Sequence, residues 1–475
     1  MMKFSKHSQS GLFLVAFALI ATTWATATSA VASADLTQVA VKVAKSLVYV
    51  QYTAENEFHK TRKANGQGVL LTKTGVVLVS QALFPIELPS YYIKTITIRL
   101  PRGNYAKVPA TFLGRSANGL FAYVKADKPL NATPLSIGET GNPILGEKVY
   151  SVALLSKEEG YQPFVGISHV KAVITLIHKL AITNPFALTR STSPVYDYHT
   201  GKLVGFTGMD PGQALDIALA GHVLPVLLQD PEQGKAFLAW SDIATAFKNV
   251  PEKPFITKRP WLGAVDLTGL KPALRKLYKI KQRSGITVGS VIANFPAAKA
   301  GLKSQDIILS MNGRHFSNFP SPDLVVSQFE RWLQRTVPGQ TVKFKILRNG
   351  SQYMTIPVTI GAMPKLASEV KHYYNHKLGL ITRNIVFDDT YIRKLPATQK
   401  GVMVALIKNG SPASLGDTPL KAGYIITKVN DHKVTNATDF TKVLDAAEKA
   451  AGAAQIVFVV IEADGSTAVC RISLQ

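Results

Sequence analysis

This chain of 475 residues has almost no cysteine, and it has few acidic residues relative to its basic ones. A single cysteine, Cys470, excludes an intramolecular disulfide and a metal cluster built from cysteines. Only 30 Asp and Glu stand against 54 Lys and Arg, which gives a formal net charge of +24. Because the ten histidines are scattered and no phosphate-binding glycine loop occurs, we predict no metal site and no cofactor. The one pair at helical spacing, His372 and His376, has no third ligand and is interpreted as a solvated feature of a linker.

The excess of positive charge limits the classes of partner. A basic surface attracts anions in general, whether nucleic acid, acidic protein or an anionic membrane face. The lysines and arginines are spread over the whole length, and no zinc-finger, helix-turn-helix or RNA-recognition signature accompanies them. We therefore expect a solvated basic surface and no nucleic-acid partner, with an anionic envelope surface as a weaker candidate.

Residues 1–34 have the pattern of a secretory signal. Lys3 and Lys6 precede a short apolar run at 12–21, and Ala32 and Ala34 form a small-x-small cleavage signal. The run is too short to favour a membrane span, although a retained N-terminal anchor stays an alternative. We expect an exported protein of a bacterial periplasm or envelope, with a charge of +22 after loss of the two lysines.

The composition predicts several globular domains, because 46% of the residues are hydrophobic and the length suits two to four domains. Short alternating segments predict a hairpin at 68–79 that turns at 73–75, and strands at 46–53, 95–100, 107–113, 121–125 and 148–154. Many short strands are typical of a barrel or sandwich. Helices are predicted at 36–45 and 240–248. A linker signal rich in proline follows at 251–254.

Two similar units follow the linker. Each contains an apolar strand, a Pro-Ala turn, a short helix, a second strand and an Asn turn, at 285–313 and at 401–431, and then a helix at 323–335 or 437–450. Each is preceded by a loop with Leu-Gly, which comprises Trp261, Leu262, Gly263 and Ala264 in the first copy and Leu378, Gly379 and Leu380 in the second. Both units resemble the PDZ domain in its permuted bacterial form. This resemblance implies that the two loops hold the C-terminus of an extended peptide.

The segment before the linker contains three informative stretches, at 66–82, 113–125 and 189–194, the last of which reads Thr-Arg-Ser-Thr-Ser-Pro. In these stretches it resembles the trypsin-like domain of the HtrA/Deg family of envelope serine proteases. Residues 66–82 align without a gap on the family's first hairpin, and 113–125 align on the segment that carries its aspartate. Residues 189–194 align on the nucleophile loop, which reads Gly-Asn-Ser-Gly-Gly-Pro in the family and Thr-Arg-Ser-Thr-Ser-Pro here. The resemblance covers nearly all of the chain after residue 34.

The resemblance implies that the catalytic positions have lost their chemistry. The serine position is Ser191, but the histidine position is Ala82 and the aspartate position is Leu120. An alanine accepts no proton and a leucine orients no imidazole, so Ser191 lacks an activating base. Thr189 stands at the oxyanion-hole position, where a glycine would permit unusual backbone angles. Substitute bases at His178, at His169 or at a lysine remain possible alternatives.

We therefore predict a mainly β chain: a chymotrypsin-like double β-barrel followed by two PDZ domains. The predicted boundaries are 1–34 for the signal peptide, 35–250 for the degenerate protease domain, and 258–362 and 371–475 for the PDZ domains. The predicted function is a catalytically inactive HtrA-like protein that binds C-terminal or extended peptides as chaperone, adaptor or regulator. The family implies trimer-based self-association or association with an active relative. The alternative is an active serine endopeptidase that uses Ser191 with a non-standard base.

Overall fold

The computed structural model describes residues 36–101, 106–116, 119–175, 178–184, 188–189, 192–207, 235–255, 258–319, 321–415, 418–451 and 455–473. The predicted signal at 1–34 and the predicted nucleophile Ser191 lie outside the described residues. Within the described residues, no helix combines the length and the apolar character that crossing a membrane requires.

The first barrel is a closed sheet in which the strands run in the order β1-β2-β3-β6-β5-β4. Strand β1 alternates buried and half-buried residues, as expected for one face on a core, whereas all five residues of β3 are buried. The predicted hairpin turns at Gly75, whose φ of +92° suits glycine. The strands, which confirm those predicted here, are β1 Leu47–Glu55, β2 Thr61–Leu70, β3 Val76–Ser80, β4 Ile93–Arg99, β5 Lys107–Arg115 and β6 Phe121–Ala126.

The second sheet has seven strands in the order β8-β7-β11-β12-β13-β10-β9. Its edge strands β8 and β9 follow one another in the chain, so the sheet curls back on itself. Helices α1, Leu36–Ala44, and α2, Trp240–Lys248, pack on a core that both sheets share. The strands are β7 Lys148–Leu154, β8 Pro163–His169, β9 Ala172–Thr175, β10 Lys179–Thr183, β11 Pro194–Asp197, β12 Leu203–Phe206 and β13 Lys235–Ala239.

The first repeat, residues 260–362, is a small α+β unit whose main sheet has the order β16-β17-β19-β21-β22. Its longest helix, α5, begins with Ser321 as N-cap and Pro322 in the first turn. Three helices belong to it: α3 Pro272–Leu277, α4 Pro296–Lys299 and α5 Pro322–Gln334. The strands are β14 Pro260–Trp261, β15 Ala264–Val265, β16 Thr268–Gly269, β17 Ile286–Thr287, β18 Ser290–Val291, β19 Ile307–Met311, β20 Arg314–His315, β21 Thr341–Arg348, β22 Gln352–Thr359 and β23 Gly361–Ala362.

The second repeat, residues 372–473, has the sheet order β24-β25-β26-β27-β29-β30 and its own hydrophobic core. The predicted late helix is confirmed as α7, Ala437–Ala451, and a short helix α6, Phe387–Ile392, follows β25. The mainly β class predicted from the sequence is therefore confirmed. The strands are β24 His372–Asn375, β25 Leu380–Asn384, β26 Val402–Ile407, β27 Ile425–Val429, β28 His432–Lys433, β29 Gln455–Ile461 and β30 Thr467–Ser473.

The two repeats differ at one matching position before their central strands. In the first repeat Asp306, which is 1% exposed, accepts two hydrogen bonds of 2.7 and 2.8 Å from the guanidinium of Arg348. In the second repeat Tyr424 takes the place of the aspartate, and its hydroxyl donates to Glu462 Oε1 at 2.6 Å. Side-chain hydrogen bonds thus connect equivalent strands in both repeats. They join a carboxylate and a guanidinium in the first repeat, and a hydroxyl and a carboxylate in the second.

The interpretation of His372 and His376 as a helical pair is wrong, and only His376, in an exposed turn, is solvated as expected. His372 lies on strand β24, where it pairs with Arg383 of β25. Its side chain is only 16% exposed and lies against the first barrel, with Nδ1 3.4 Å from Glu57 Oε1. Tyr92 of the first barrel also donates a hydrogen bond to Glu57, and the His372 N–H donates to the hydroxyl of Tyr91 at 3.1 Å. The spacing of the two histidines gave no sign of this interface.

Candidate functional site

The predicted histidine and aspartate positions lie side by side. Ala82 follows the end of β3 in an exposed turn, and Leu120 immediately precedes β6 and is 1% exposed in the shared core. A backbone hydrogen bond of 3.1 Å from the Gln81 N–H to the Leu120 carbonyl joins the two turns. The two positions predicted for a general base and its orienting partner thus lie close together. They carry a methyl group, at Ala82, and an isobutyl group, at Leu120.

The loop around residue 191 reaches the same place. Ser191 itself lies outside the described residues, but Thr189, Thr192 and Ser193 on either side of it are described. The Ser80 N–H at the end of β3 donates to Thr192 Oγ1 at 3.1 Å. A described neighbour of the predicted serine position, Thr192, therefore lies at the end of β3, two residues before Ala82.

The three residues that stand where the family has glycine form a buried hydroxyl network. Thr189 Oγ1 lies 3.1 Å from Ser193 Oγ and 3.2 Å from Thr207 Oγ1. The Thr189 N–H donates to Ser151 Oγ at 3.2 Å. All four side chains are at most 9% exposed. Since this N–H belongs to the predicted oxyanion-hole position and already has an acceptor, it is not directed at a substrate carbonyl.

Gln67 anchors this network and was missed in the sequence analysis. Its side-chain amide is buried and donates to the Thr192 carbonyl at 2.7 Å and to Ser193 Oγ at 2.8 Å. Its amide oxygen accepts the Leu154 N–H of β7 at 2.7 Å. Gln67 therefore ties the first barrel to the second sheet through the loop. A polar residue between two glycines, at the start of the buried end of strand β2, was the available signal.

None of the residues in this network titrates near neutral pH. Gln67, Ser151, Thr189, Thr192 and Ser193 offer hydroxyl and amide groups only, which donate and accept hydrogen bonds without changing charge. The described part of the site can therefore hold its loop in one conformation, but it contains no proton acceptor of suitable pKa.

The two histidines considered as substitute bases lie elsewhere. His178 precedes β10, whereas the chain towards residue 191 leaves the other end of that strand at Thr183, about 16 Å further along. Its Nδ1 lies 3.8 Å from Asp242 Oδ2. His169 is exposed on strand β8.

Asp242, on α2, is the centre of a charge cluster between the second sheet and the first repeat. It accepts a bidentate pair of hydrogen bonds from Arg331 of α5, at 2.5 and 2.6 Å, and a third from Arg335 at 2.9 Å. The Lys179 N–H donates to it at 2.6 Å. Burial opposes its charge, but the hydrogen bonds from His178 and Lys179 and the charge of Arg331 keep the pKa of Asp242 below its usual value. His178 is thus part of an interdomain contact.

The two predicted peptide loops share one backbone geometry. Gly263 has φ +74° and Gly379 has φ +65°. The Gly263 carbonyl accepts the Ile292 N–H at 2.9 Å, and the Gly379 carbonyl accepts the Lys408 N–H at 2.8 Å. A Cβ at either glycine would lie within 2.4 Å of the residue before the Pro-Ala turn, Phe295 or Ser411. Both loops therefore require glycine for its backbone angle and for close packing.

The side chains of these loops face inward. Leu262 and Ala264 are 2% exposed, and Leu378 and Leu380 are fully buried. Trp261 packs edge-on against Phe295, with ring centroids 4.5 Å apart, and against Phe387 of the second repeat at 5.4 Å. A peptide in such a loop would therefore meet its backbone.

The loops differ in the N–H groups that they offer. The N–H groups of Leu262 and Gly263 donate to no acceptor within the part of the chain that the structure describes. In the second loop the Leu378 N–H donates to Asn375 Oδ1 at 2.8 Å. Only the first loop thus presents two adjacent free donors, the arrangement that captures a terminal carboxylate.

Comparison with known proteins supports the description of the first repeat as PDZ-like and of the part before the repeats as protease-like. Residues 266–356 match the family model described as PDZ domain. A protein named probable periplasmic serine endoprotease DegP-like from Pseudomonas putida (strain GB-1) is 23% identical over 316 residues, or 62% of this chain and 63% of its own length. Proteins of the same name are 30% identical over 39% of this chain and 35% of theirs in Chlamydia trachomatis, and 24% identical over 71% and 64% in Chlamydia pneumoniae. The match thus spans less than two thirds of each of these relatives.

Solved structures of related proteins superpose loosely. The HtrA-type protease AlgW with decapeptide has a TM-score of 0.48 at 17% identity and covers 69% of this chain and 98% of its own. A serine endoprotease from Yersinia pestis has a TM-score of 0.45 at 18% identity, with 69% and 97% covered.

The barrel, the sheet and the repeats form a protease-like part followed by two repeat units, the first of which carries a PDZ domain. The sequence relatives show that the chain is similar to the HtrA/Deg family of DegP-like serine endoproteases.

Proposed function

We propose that the chain is a non-catalytic member of this family that binds peptides or unfolded segments without cutting them. One observation carries the proposal: the Gln81 N–H, next to Ala82, donates to the Leu120 carbonyl, and the neighbouring Ser80 N–H donates to Thr192 of the nucleophile loop. In this interpretation the two positions that would hold the base and its orienting group carry an alanine and a leucine.

The loss is large in energetic terms. A serine hydroxyl needs a base to remove its proton, and removal of the base alone costs about 10⁶ in turnover, or about 8 kcal/mol of barrier. An endopeptidase that used Ser191 with another base would need a nitrogen or carboxylate close to that residue. His178, one of the two histidines considered as a substitute base, lies beside Asp242, with Nδ1 3.8 Å from Oδ2.

Peptide binding is supported by the first loop. The free N–H groups of Leu262 and Gly263 would hold the terminal carboxylate, and strand β15 would pair with the extended peptide. The second loop, with Leu378, Gly379 and Leu380, would bind more weakly because one of its donors is occupied. We place this activity in the periplasm, since the sequence relatives are named periplasmic endoproteases. Trimer-based self-association, or association with an active relative, would increase the number of peptide-binding loops in one assembly.

The test compares cutting with binding. The purified chain and its Ser191→Ala variant are incubated with casein beside an active DegP-like protease, and a fluorescent peptide with a hydrophobic C-terminus is titrated into each. We expect equal, negligible degradation of casein by both forms and equal, saturable binding of the peptide. Degradation that disappears in Ser191→Ala would establish the endopeptidase alternative, and absence of peptide binding would refute the proposed function.

A further inference from the structure

A cavity of about 330 Å³ opens beside the N-terminal end of helix α5 in the first repeat. The apolar residues of its lining include Leu270, Phe319 and Val325. Arg275 of α3 and Arg283, which precedes β17, also line it. The cavity is thus large enough for one side chain, and its lining combines two arginines with hydrocarbon.

Both arginines lack a counter-charge. Neither Arg275 nor Arg283 forms an ion pair or a side-chain hydrogen bond within the described part of the chain, in contrast to Arg331 and Arg348. Residues 271–283 contain six Lys and Arg and no Asp or Glu. Asp323, in the first turn of α5, is the acidic residue nearest in sequence to the cavity lining. An anion that enters the cavity would meet the two guanidinium groups, which are suited to a carboxylate.

The cavity lies next to β16, the strand that follows the proposed peptide-binding strand β15. Strand β15 begins at Ala264 of the loop, and Leu270 directly follows β16. A peptide whose terminal carboxylate is held at the loop and that runs along these strands reaches Leu270 after at most about 20 Å, or about six residues.

We propose that this cavity binds an acidic side chain of the captured polypeptide, four to six residues before its C-terminus, through Arg275 and Arg283. The first repeat then selects ligands that combine a free C-terminus with an upstream Asp or Glu. This proposal rests on the proposed peptide-binding function and adds a preference for charge to it.

The test uses the full chain and two labelled peptides of about eight residues with the same hydrophobic C-terminus. One carries Glu at the fourth, fifth and sixth positions from the end, and the other carries Gln there. We expect the Glu peptide to bind about 5 to 20 times more tightly at low ionic strength, with the advantage shrinking as salt is added. In Arg275→Gln/Arg283→Gln the advantage should vanish, while the Gln peptide binds as before.

A matched control removes two other exposed cations of the same repeat. The advantage should persist in Lys303→Gln/Lys343→Gln, because neither lysine lines the cavity. Equal binding of the two peptides to the natural chain, or an advantage that survives loss of both arginines, would overturn the charge preference and leave peptide binding intact. Failure of both peptides to bind would overturn peptide binding and this proposal together. Free glutarate serves as a competitor: an advantage that it abolishes at micromolar concentration would assign the cavity to a small anion and overturn the proposal.

Discussion

The nucleophile loop and the first peptide loop differ in their glycines: the first has other residues at the family's glycine positions, and the second keeps its glycine. Around residue 191 the positions that are glycine in the family carry Thr189, Thr192 and Ser193, and these side chains are buried in mutual hydrogen bonds. In the peptide loop Gly263 is kept at φ +74°, with no room for a Cβ. Where backbone freedom is retained, free N–H groups remain for a ligand; where it is lost, side chains occupy the donors and acceptors.

In our proposal, this comparison explains how a protease-like scaffold stays folded without catalytic groups. The glutamine and hydroxyl groups satisfy buried backbone groups that would otherwise cost about 1–3 kcal/mol each. The described residues of the loop between barrel and sheet therefore have a structural role. In the peptide loop, the N–H groups of Leu262 and Gly263 have no such partners among the described residues, and a bound peptide would satisfy them.

The largest expected effect on ligand binding is loss of peptide affinity in Gly263→Val. A β-branched residue at positive φ, with its Cβ 2.4 Å from that of Phe295, forces the loop to move. We expect the affinity for a peptide with a hydrophobic C-terminus to fall by about thirtyfold or more, equivalent to about 2 kcal/mol. Fluorescence anisotropy measures it. Gly313→Asn is the control, because that turn glycine has open space around it and asparagine tolerates positive φ.

Removal of the Gln67 side chain should weaken the joint between barrel and sheet. Gln67→Ala leaves the Leu154 N–H and the Thr192 carbonyl without their buried partner. We expect a loss of about 2–4 kcal/mol in the free energy of unfolding, measured by urea denaturation. Gln51→Ala removes only a 3.5 Å contact with Arg99 and should cost less than about 1 kcal/mol. Equal effects of the two substitutions would contradict the role assigned to Gln67.

Asp242→Asn should loosen the first repeat from the second sheet. Arg331, which is 11% exposed, would lose its counter-charge, and a broken buried pair costs about 3 kcal/mol. We expect faster trypsin cleavage in the linker near Lys253, with each region remaining folded. Glu139→Gln provides the contrast, since its pair with Lys202 is exposed and should not affect cleavage.

The smallest expected effect concerns pH at the interface of the first barrel with the second repeat. Burial holds the pKa of His372 below its usual value, despite the opposing charge of Glu57. The unfolded chain therefore takes up this proton at higher pH than the folded chain does. The contribution of His372 is fully present above about pH 6.5 and is lost as the pH falls through the folded pKa. The urea midpoint should decline more steeply below that pH in the natural chain than in His372→Gln; identical slopes would contradict this account.

The sequence predicts regular elements well where burial alternates locally. Strand β1 and helix α7 follow directly from the spacing of their apolar residues. The placement of Ala82 beside Leu120 came from family resemblance, and the bond from Gln81 supports it. The pattern of His372 and His376 fits helix and strand equally, because two residues alone define no period, and tertiary pairing decided it.

Contacts between distant residues could not be predicted from local pattern. Asp242 lies 89 residues from Arg331, and Gln67 lies 126 residues from Ser193. Each is polar in a segment that reads as ordinary helix or strand, so its partner is defined only once the domains pack. The free N–H groups of the first loop likewise depend on the backbone angle that Gly263 adopts in the folded chain.

The central claim, that Ser191 lacks activation, is tested most directly by a fluorophosphonate probe that reacts only with activated serines. Intact-mass measurement follows the natural chain and Ser191→Ala beside an active DegP-like protease. We predict that neither form of this chain gains the mass of the probe under conditions in which the active protease is fully labelled. Labelling of the natural chain that disappears in Ser191→Ala would contradict the account.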